Sequence, residues 1–489
     1  MRYNNLSFNN NSKAYLRTTE NINGMYGAPS DHVMTTGKKR KYLKHYKNNS
    51  NCSIIYTTLG FKEIIMENMT KEQTVTSFFY LTNKLKDEVK RTGWHQKGIK
   101  RNRVESVADH IFGCQMLAYA MYSEFDYDVD IDKVILMLAI HEIGETIIGD
   151  LTPEDISSKE KSEIERNAVI KLTEMIPNGE LIRDLFLEFE EKKTKEAQFA
   201  YQIDKAECDL QAKLYIQEGC FDHLYDRKEF TDSWIGFDIG RINFDENFMS
   251  VLNTIMNNDM EVKEHVDNPI QNVISFYTLT NRLKDIKREG ERIWKVKKEK
   301  YGSIAEHTYS VQMLELFVYL TYNQDVDIKR IISETSVHEL GEIIKGDISS
   351  LLKTKEDCND EFVAAKSVTD ILTHGDILLD RLREFNERNT KESIYAKYCD
   401  KLAPDIISKI YDTENRIDLN NQEGNPLLEN PIVKRYLEMK ESFSTMWILY
   451  GQEMYKYPEP FISISNYALN NNINEPYTKV LKKETNQHN

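Results

Sequence analysis

Four of the eleven histidines in this sequence occupy matching positions in two related segments. They are His110 and His141 in the first segment and His307 and His338 in the second, and 31 residues separate the members of each pair (141 − 110 and 338 − 307). A lone histidine is usually structural. A spacing kept in both copies of a diverged repeat instead favours a shared chemical role, such as metal binding or proton transfer.

Acidic side chains follow the second histidine of each segment in one order: a glutamate directly after it, another glutamate one helical turn later, and an aspartate after a glycine. These residues are Glu142, Glu145 and Asp150 in the first segment and Glu339, Glu342 and Asp347 in the second. A more distant aspartate, followed by lysine, is also repeated as Asp204 and Asp400. Two imidazoles with several carboxylates suit Mn, Fe, Co, Ni or Zn better than Ca or Mg. The absence of cysteine ligands argues against structural zinc.

The His-Glu pair also opens the zincin peptidase signature, His-Glu-x-x-His. The fifth position of that signature must be histidine, but it is Glu145 in the first segment and Glu342 in the second. A zincin peptidase is therefore disfavoured in both segments.

The two segments are copies of one domain of nearly 200 residues. The run Leu81–Asp87 returns as 279–285, and His141–Asp150 returns as 338–347 with seven of ten positions identical. A period this long indicates a duplicated domain, because solenoid repeats span roughly 20 to 50 residues. We expect a polar, disordered N-terminal extension (1–65), a first domain (66–262), a second domain (263–462) and a polar C-terminal tail (463–489).

Within each copy the hydrophobic pattern is helical. Val134–Ile140 is a continuous apolar run leading into His141, which predicts a buried central helix. Apolar residues in 181–189 follow a helical stripe, and 200–215 predicts the helix that carries Asp204. Since no alternating strand pattern is visible, we predict an all-α fold.

Taken together, these motifs resemble the HD-domain superfamily of metal-dependent phosphohydrolases. The runs 91–94 (Arg-Thr-Gly-Trp), 105–110 (Glu-Ser-Val-Ala-Asp-His), 149–153 (Gly-Asp-Leu-Thr-Pro) and 204–207 (Asp-Lys-Ala-Glu) are similar to the branch that contains 5′-deoxynucleotidases. The resemblance covers about 74–225 and again about 273–411. It implies two tandem all-helical domains, each holding one divalent cation, which form an internal pseudo-dimer.

The resemblance also implies roles for individual residues. The metal ligands would be His110, His141, Glu142 and Asp204 in the first copy and His307, His338, Glu339 and Asp400 in the second. The acid/base or substrate-orienting carboxylates would be Glu145, Asp150, Glu342 and Asp347. The substrate-binding residues would be Arg91, Trp94, Arg103, Arg288 and Trp294.

Three departures from the family pattern affect these expectations. The doublet is His-Glu in both copies where the family has His-Asp, so the metal should lie farther from that helix or be held differently. The loop before His110 carries extra basic residues at Lys97, Lys100, Arg101 and Arg103. The second copy has Arg288-Glu-Gly-Glu in place of Arg-Thr-Gly-Trp, with Trp294 three positions later.

The leading functional hypothesis is release of phosphate from nucleoside 5′-monophosphates, expected to be deoxyribonucleotides, by attack of a metal-bound water. A second hypothesis is hydrolysis of a nucleoside triphosphate or signalling nucleotide, for which the basic loop could bind additional phosphates. A third is a metal-binding nucleotide sensor without turnover. The chain could act as a monomer with an internal pseudo-dimer or as a homo-oligomer.

Composition limits the remaining classes. The 489 residues include 64 basic and 79 acidic side chains, and the net charge of −15 argues against nucleic-acid or anionic-membrane partners. The seven-residue run 134–140 is far shorter than the ~20 residues of a membrane helix. The first residues are Asn-rich without an apolar segment, so we expect no secretory signal. Six cysteines without C-x-x-C spacing predict reduced, buried thiols in a cytoplasmic protein.

Overall fold

The computed structural model describes residues 69–87, 92–96, 98–151, 156–221, 242–297, 301–439 and 441–473. These residues belong to one compact unit, Ile55–Asn489. The predicted N-terminal extension (1–65) lies outside the described residues.

The described part of the first copy is helical. Its helices are α1 (Lys71–Thr82), α2 (Lys84–Asp87), α3 (Thr92–Gln96), α4 (Val107–Glu124), α5 (Ile131–Ile140), α6 (Glu145–Ile148), α7 (Ser158–Thr173), α8 (Glu180–Glu191), α9 (Lys195–Gln217) and α10 (Glu246–Asn257). The predicted buried helix is α5, the predicted stripe lies on α8, and α9 carries Asp204, so all three helix predictions are confirmed.

The second copy repeats this order and adds helices near its end. They are α11 (Pro269–Thr280), a 3₁₀ turn (Asn281–Lys284), α12 (Glu289–Ile293), α13 (Ile304–Tyr322), α14 (Ile328–Val337), α15 (Glu342–Lys345), α16 (Lys355–Thr369), α17 (Asp376–Glu387), α18 (Lys391–Thr413), a 3₁₀ turn (Pro426–Glu429), α19 (Pro431–Glu438), α20 (Phe443–Tyr455) and α21 (Phe461–Asn470). Among the described residues, β-pairing is limited to two isolated bridges. The all-α prediction is confirmed.

Several repeated sequence motifs are helix N-caps. The side chains of Asp130 and Asp327 accept hydrogen bonds from backbone N–H groups in the first turns of α5 and α14. Thr194 and Thr390 do the same for α9 and α18. An N-cap side chain satisfies an otherwise unpaired N–H group and fixes where the helix starts. These caps therefore set the register of the helices that carry the repeated histidines and aspartates.

The repeated glycine before Asp150 and Asp347 has a conformational role. Gly149 and Gly346 have φ angles of 73° and 79°, a region that residues with a Cβ rarely adopt. Each glycine ends its short helix, α6 or α15, and turns the chain so that the next residue is an aspartate.

The two copies exchange their first helices. Helix α1 of the first copy packs on α13 of the second, and α11 of the second packs on α4 of the first. The rings of Phe78 and Phe317 lie 5.7 Å apart, and the Ser310 hydroxyl donates to Asn83 Oδ1 at 2.7 Å. Each copy therefore buries its histidine-bearing helix partly with an element of the other copy.

A glutamine pair marks the symmetry between the copies. Gln115 Nε2 donates to Gln312 Oε1 and Gln312 Nε2 donates to Gln115 Oε1, both at 3.2 Å. The two glutamines hold equivalent positions, 197 residues apart. A contact in which a residue meets its own counterpart is characteristic of a two-fold, isologous interface. The described chain is thus an internal pseudo-dimer of two helical copies.

The C-terminal boundary differs from the expectation. The predicted polar tail begins at 463, but α21 continues to Asn470, and Ile464, Ala468 and Ile473 are fully buried. Polar residues alternate with these apolar ones, which hid a helix that packs on α1 and α18. Residues 474–489 lie outside the described residues.

The five described cysteines are free, but the expectation that they are all buried is wrong. Cys114 and Cys399 are buried, whereas Cys358 is exposed. No helix of the described part of the chain has the length and apolarity needed to cross a membrane.

Candidate metal centres and active sites

The first copy gathers three of its predicted ligands at one buried point. His110 is on α4, His141 follows the last residue of α5, and Asp204 is on α9. Asp204 Oδ1 lies 3.3 Å from His110 Nε2 and 3.9 Å from His141 Nε2. Three residues that are distant in sequence therefore present their donor atoms to a common centre.

The second copy reproduces this arrangement. Asp400 Oδ1 lies 3.3 Å from His307 Nε2 and 3.7 Å from His338 Nε2. Glu339 Oε1 lies 3.6 Å from His307 Nε2 and 3.4 Å from His338 Nε2. All four predicted ligands of this copy offer atoms within 4.8 Å of one another. The longer glutamate side chain thus reaches the centre from its position in the His-Glu doublet.

The first copy departs from the predicted ligand set at Glu142. Its Oε1 lies 3.7 Å from His141 Nε2, but the compact group in this copy contains Cys114 together with His110, His141 and Asp204. Glu142 forms a second close group with Glu145 and Glu165. The two copies therefore differ in the fourth member of the compact group, which is Glu339 in the second copy and Cys114 in the first.

Hydrogen bonds fix the histidine tautomers. His141 Nδ1 donates to the carbonyl of Leu138 at 2.7 Å, and His338 Nδ1 donates to that of Thr335 at 2.6 Å. His110 Nδ1 lies 2.6 Å from Glu207 Oε2, which can accept its proton. In a neutral imidazole this leaves a lone pair on Nε2, the atom that points to the common centre.

The buried Nε2 atoms of His141, His307 and His338 have no hydrogen-bond partner among the described residues. Burial lowers the pKa of His141, and burial together with the Arg288 charge lowers that of His307 to about 3. A neutral imidazole with an unused lone pair is a metal ligand in the correct protonation state. The residues present therefore fit a divalent cation at both centres.

The aspartate ligands are held in their charged form. Burial alone would raise the pKa of Asp204, but Lys205, at 2.7 Å, and the histidines lower it well below its usual range. Lys397 and Lys401 each lie 3.0 Å from Asp400 and lower its pKa against the same burial.

The predicted acid/base residues Glu145 and Glu342 lie beside the centres and are buried. Burial and the Glu142 carboxylate raise the pKa of Glu145 well above its usual range, and burial and Glu339 do the same for Glu342. Lys161 donates to Glu145 Oε1 at 2.8 Å. A carboxyl group whose pKa is raised is better suited to donate a proton to a leaving oxygen.

The two predicted orienting aspartates are Asp347, beside the second centre, and Asp150, near the first. Asp347 accepts from the backbone N–H of Glu289 and lies 3.4 Å from Arg288 Nη1. Arg288 and Asp347 line one cavity with His307 and Glu339. Asp150 follows Gly149 near the first centre, and Arg91, the arginine expected to bind substrate in this copy, lies outside the described residues.

The structure does not support Arg103 as a substrate-binding residue. Its guanidinium lies 2.8 Å from Asp109 Oδ2 and 3.2 Å from Glu306 Oε1, two equivalent and fully buried carboxylates that meet between the copies. It also donates to the carbonyl of Lys284. The cation is therefore needed at the interface, because two buried carboxylates would otherwise face each other.

The two predicted tryptophans have different surroundings. Trp94 is buried, donates from Nε1 to Glu105 Oε1 at 3.1 Å and meets Tyr215 edge to face. Trp94 is therefore linked to the first centre indirectly, through Glu105 and the ion pair of Glu105 with Lys284. Trp294 lines the cavity of the second centre.

Two residues that complete the first centre were not singled out from the sequence. Glu207 bonds His110, and Lys284 Nζ lies 2.6 Å from Glu207 Oε1 and 2.7 Å from Glu105 Oε2. Lys284 belongs to the second copy and is fully buried at the first centre. Glu207 stands in the Asp-Lys-Ala-Glu motif, so its position was a usable signal, whereas the role of Lys284 depends on the helix exchange.

The family follows from comparison with known sequences. A model of the HD domain matches residues 82–234 and 280–427, more than half of the chain. Each matched segment contains one of the two His/acid centres. The chain belongs to the HD-domain family of metal-dependent phosphohydrolases, with two tandem copies of the domain.

Individual relatives narrow the comparison. The chain is 38% identical over 149 residues to 5′-deoxynucleotidase HDDC2 of Dictyostelium discoideum, covering 29% of this chain and 77% of that protein. It is 32% identical over 176 residues to 5′-deoxynucleotidase hdd1 of Schizosaccharomyces pombe, covering 35% and 84%. It is 31% identical over 168 residues to human 5′-deoxynucleotidase HDDC2, covering 34% and 78%.

Proposed function

We propose that this chain hydrolyses deoxyribonucleoside 5′-monophosphates to deoxyribonucleosides and inorganic phosphate, at both centres. The observation that carries the proposal is the same in each copy: a His/acid centre beside a buried carboxyl group with a raised pKa. The relatives named 5′-deoxynucleotidases support the choice of substrate.

Mn, Co, Fe, Ni or Zn suits the mixed donor set, and such an ion would supply Lewis-acid chemistry to a phosphate group and a water molecule. We assign His110, His141, Asp204 and Glu142 to one ion and His307, His338, Glu339 and Asp400 to the other.

The cavity of the second copy suits the phosphate end of a nucleotide. Arg288 and Lys353 line it together with the proposed metal ligands. Arg288 is oriented by Asp347, and a guanidinium can bind two phosphate oxygens at once. These side chains would orient the phosphate so that its P–O5′ bond faces Glu342.

Proton transfer falls to Glu145 and Glu342. In the reaction, a water oxygen bonds to phosphorus, the P–O5′ bond breaks, and the leaving O5′ takes up a proton. A carboxyl group with a raised pKa can give that proton, and the resulting carboxylate can regain one from the proton that the attacking water loses.

The basic loop does not favour a triphosphate substrate. Arg101 lies 2.7 Å from Asp285 and 3.1 Å from Glu218, and Arg103 bonds Asp109 and Glu306. Unlike Arg288 and Lys353, neither Arg101 nor Arg103 lines the cavity of the second centre, so neither is placed to bind further phosphates there. Lys97 lies outside the described residues.

The test is phosphate release by the full-length protein from all ribo- and deoxyribonucleoside mono- and triphosphates, with Mn, Co, Fe, Ni or Zn added. Two variants, Asp204→Asn and Asp400→Asn, each disable one centre and leave the other intact. These single-site chains show which centre releases phosphate. We expect release from deoxyribonucleoside monophosphates by both chains. Metal bound at about two ions per chain without turnover on any nucleotide would instead support a sensor, and preferential release from triphosphates would support the second hypothesis.

A further inference from the structure

One cavity of the second copy extends from the proposed metal ligands to an aromatic end. The polar end is lined by His307, Glu339 and Asp400, and the far end by Trp294, Phe443, Trp447 and Tyr450. Because the cations Arg288 and Lys353 also line this cavity, a ligand that fills both ends would carry an anionic group at the polar end and a flat, apolar group at the other.

The aromatic wall is fixed to the rest of the second copy. Helix α20, which carries Phe443 and Trp447 one turn apart, lies against α18. The backbone N–H and hydroxyl of Ser444 donate to Asp412 at 2.8 and 2.7 Å. A Cβ on Gly451 would lie 2.2 Å from Asp405 Oδ2, so the glycine permits this close approach.

The aromatic end contains a polar donor without a partner. Trp294 is 1% exposed, and its Nε1 has no hydrogen-bond partner among the described residues. Its ring lies 5.1 Å from that of Phe443 and 6.4 Å from that of Trp447. A buried N–H group without an acceptor destabilises the fold, so a ligand that brings an acceptor gains binding free energy.

The first copy uses its tryptophan differently. Trp94 Nε1 is bonded to Glu105, whereas the position equivalent to Glu105 in the second copy is Gly302. Glu291, which occupies the position of Trp94, instead accepts from the Gly302 N–H at 2.7 Å and from the Tyr411 hydroxyl. The unsatisfied indole therefore belongs to a rearrangement in the second copy.

We infer that the aromatic end of this cavity is a nucleobase subsite, in which the base stacks on the α20 aromatics and accepts a hydrogen bond from Trp294 Nε1. The inference rests on the proposed function. In this arrangement the second centre binds the base of the nucleotide as well as its phosphate. Base stacking on aromatic side chains tolerates different bases, while the indole N–H requires an acceptor on the base edge.

The test uses the Asp204→Asn chain, in which only the second centre is intact, with deoxyribonucleotides and the abasic substrate 2-deoxyribose 5-phosphate. We expect Trp294→Phe to raise KM for nucleotides about fivefold, the value of one neutral hydrogen bond, and Trp447→Leu to raise it about tenfold through lost stacking. Neither variant should change KM for the abasic substrate. Tyr436→Phe is the matched control, since Tyr436 belongs to the same aromatic cluster but does not line the cavity.

A binding measurement on the unmutated protein does not depend on how the variants fold. Calorimetry should detect free deoxyribonucleosides binding in competition with nucleotides at the second centre. The subsite is refuted if the Asp204→Asn chain has the same KM for nucleotides as for the abasic substrate, and if neither tryptophan variant changes the ratio of these two KM values. The proposed function would still stand in that case. If neither single-site chain releases phosphate from any nucleotide, the proposed function itself fails.

Discussion

At the scale of single residues, Glu145 and Glu342 are the side chains on which turnover should depend most directly. Each is buried with a raised pKa beside an acid assigned to the metal. We expect Glu145→Gln combined with Glu342→Gln to lower phosphate release by at least about 100-fold, the range of general acid–base catalysis. Metal content and thermal unfolding should change little, because glutamine keeps the shape of the side chain and neither glutamate is assigned to the metal. Unchanged rates would refute both assignments.

Glu334 is a buried acid that belongs neither to the two His/acid groups nor to the lining of the second cavity, so it provides a comparison for a Glu→Gln change. Burial and the nearby Glu384 raise its pKa from 4.5 to about 9. The folded protein binds this proton more tightly than the unfolded chain does. The contribution of Glu334 to the free energy of unfolding is therefore fully present below the unfolded pKa, and it is lost as the pH rises toward the folded pKa. We expect Glu334→Gln to be more stable than wild type near pH 8, with the difference shrinking near pH 5. Denaturant unfolding at both pH values measures this, and a pH-independent difference would contradict it.

At the scale of elements, the glycine that ends α15 positions Asp347. Gly346 has a φ of 79° and open space where a Cβ would lie, so Gly346→Ala adds backbone strain of about 1–2 kcal/mol without a clash. We expect it to lower phosphate release in the Asp204→Asn chain, because the turn that presents Asp347 to Arg288 would shift. Gly219→Ala is matched in strain, with a φ of 72° and equally open space, but it follows α9 outside the second centre. It should cost similar stability and leave turnover at that centre unchanged. Equal losses of turnover in both variants would remove the positioning role.

The sequence predicted individual helices better than it predicted which helices and side chains contact one another. The helices α5, α8 and α9, and the histidines and aspartates that meet at the two centres, followed from apolar periodicity and from the repeat. The contacts of Arg103 with two buried carboxylates were not predicted, because a basic residue before His110 looks the same in sequence whether it meets a phosphate or a buried carboxylate. The exchange of α1 and α11 could not be foreseen, since either helix has the same sequence pattern whichever copy it covers. Lys284 was missed for that reason.

At the scale of the whole molecule, Lys284 ties the second copy to the centre of the first. Its ammonium is buried with Glu105 and Glu207. Lys284→Met would leave two buried carboxylates without a cation, and we expect a loss of about 3–5 kcal/mol in unfolding free energy. Lys329→Met breaks a partly exposed pair between the copies, 2.7 Å from Asp130, and should cost no more than about 1 kcal/mol. Adding Glu105→Gln and Glu207→Gln to Lys284→Met should recover part of the loss. Equal effects of the two lysine variants in urea unfolding would contradict this account.

The reciprocal bond between Gln115 and Gln312 has a historical implication. One amide that fits its own duplicate would fit equally well between two identical shorter chains, so the present molecule is consistent with the fusion of a former dimer. Covalent linkage makes that association independent of protein concentration. It also releases the two halves from having identical sequences. Equivalent positions can then carry different residues, as Glu105 in the first copy and Gly302 in the second do.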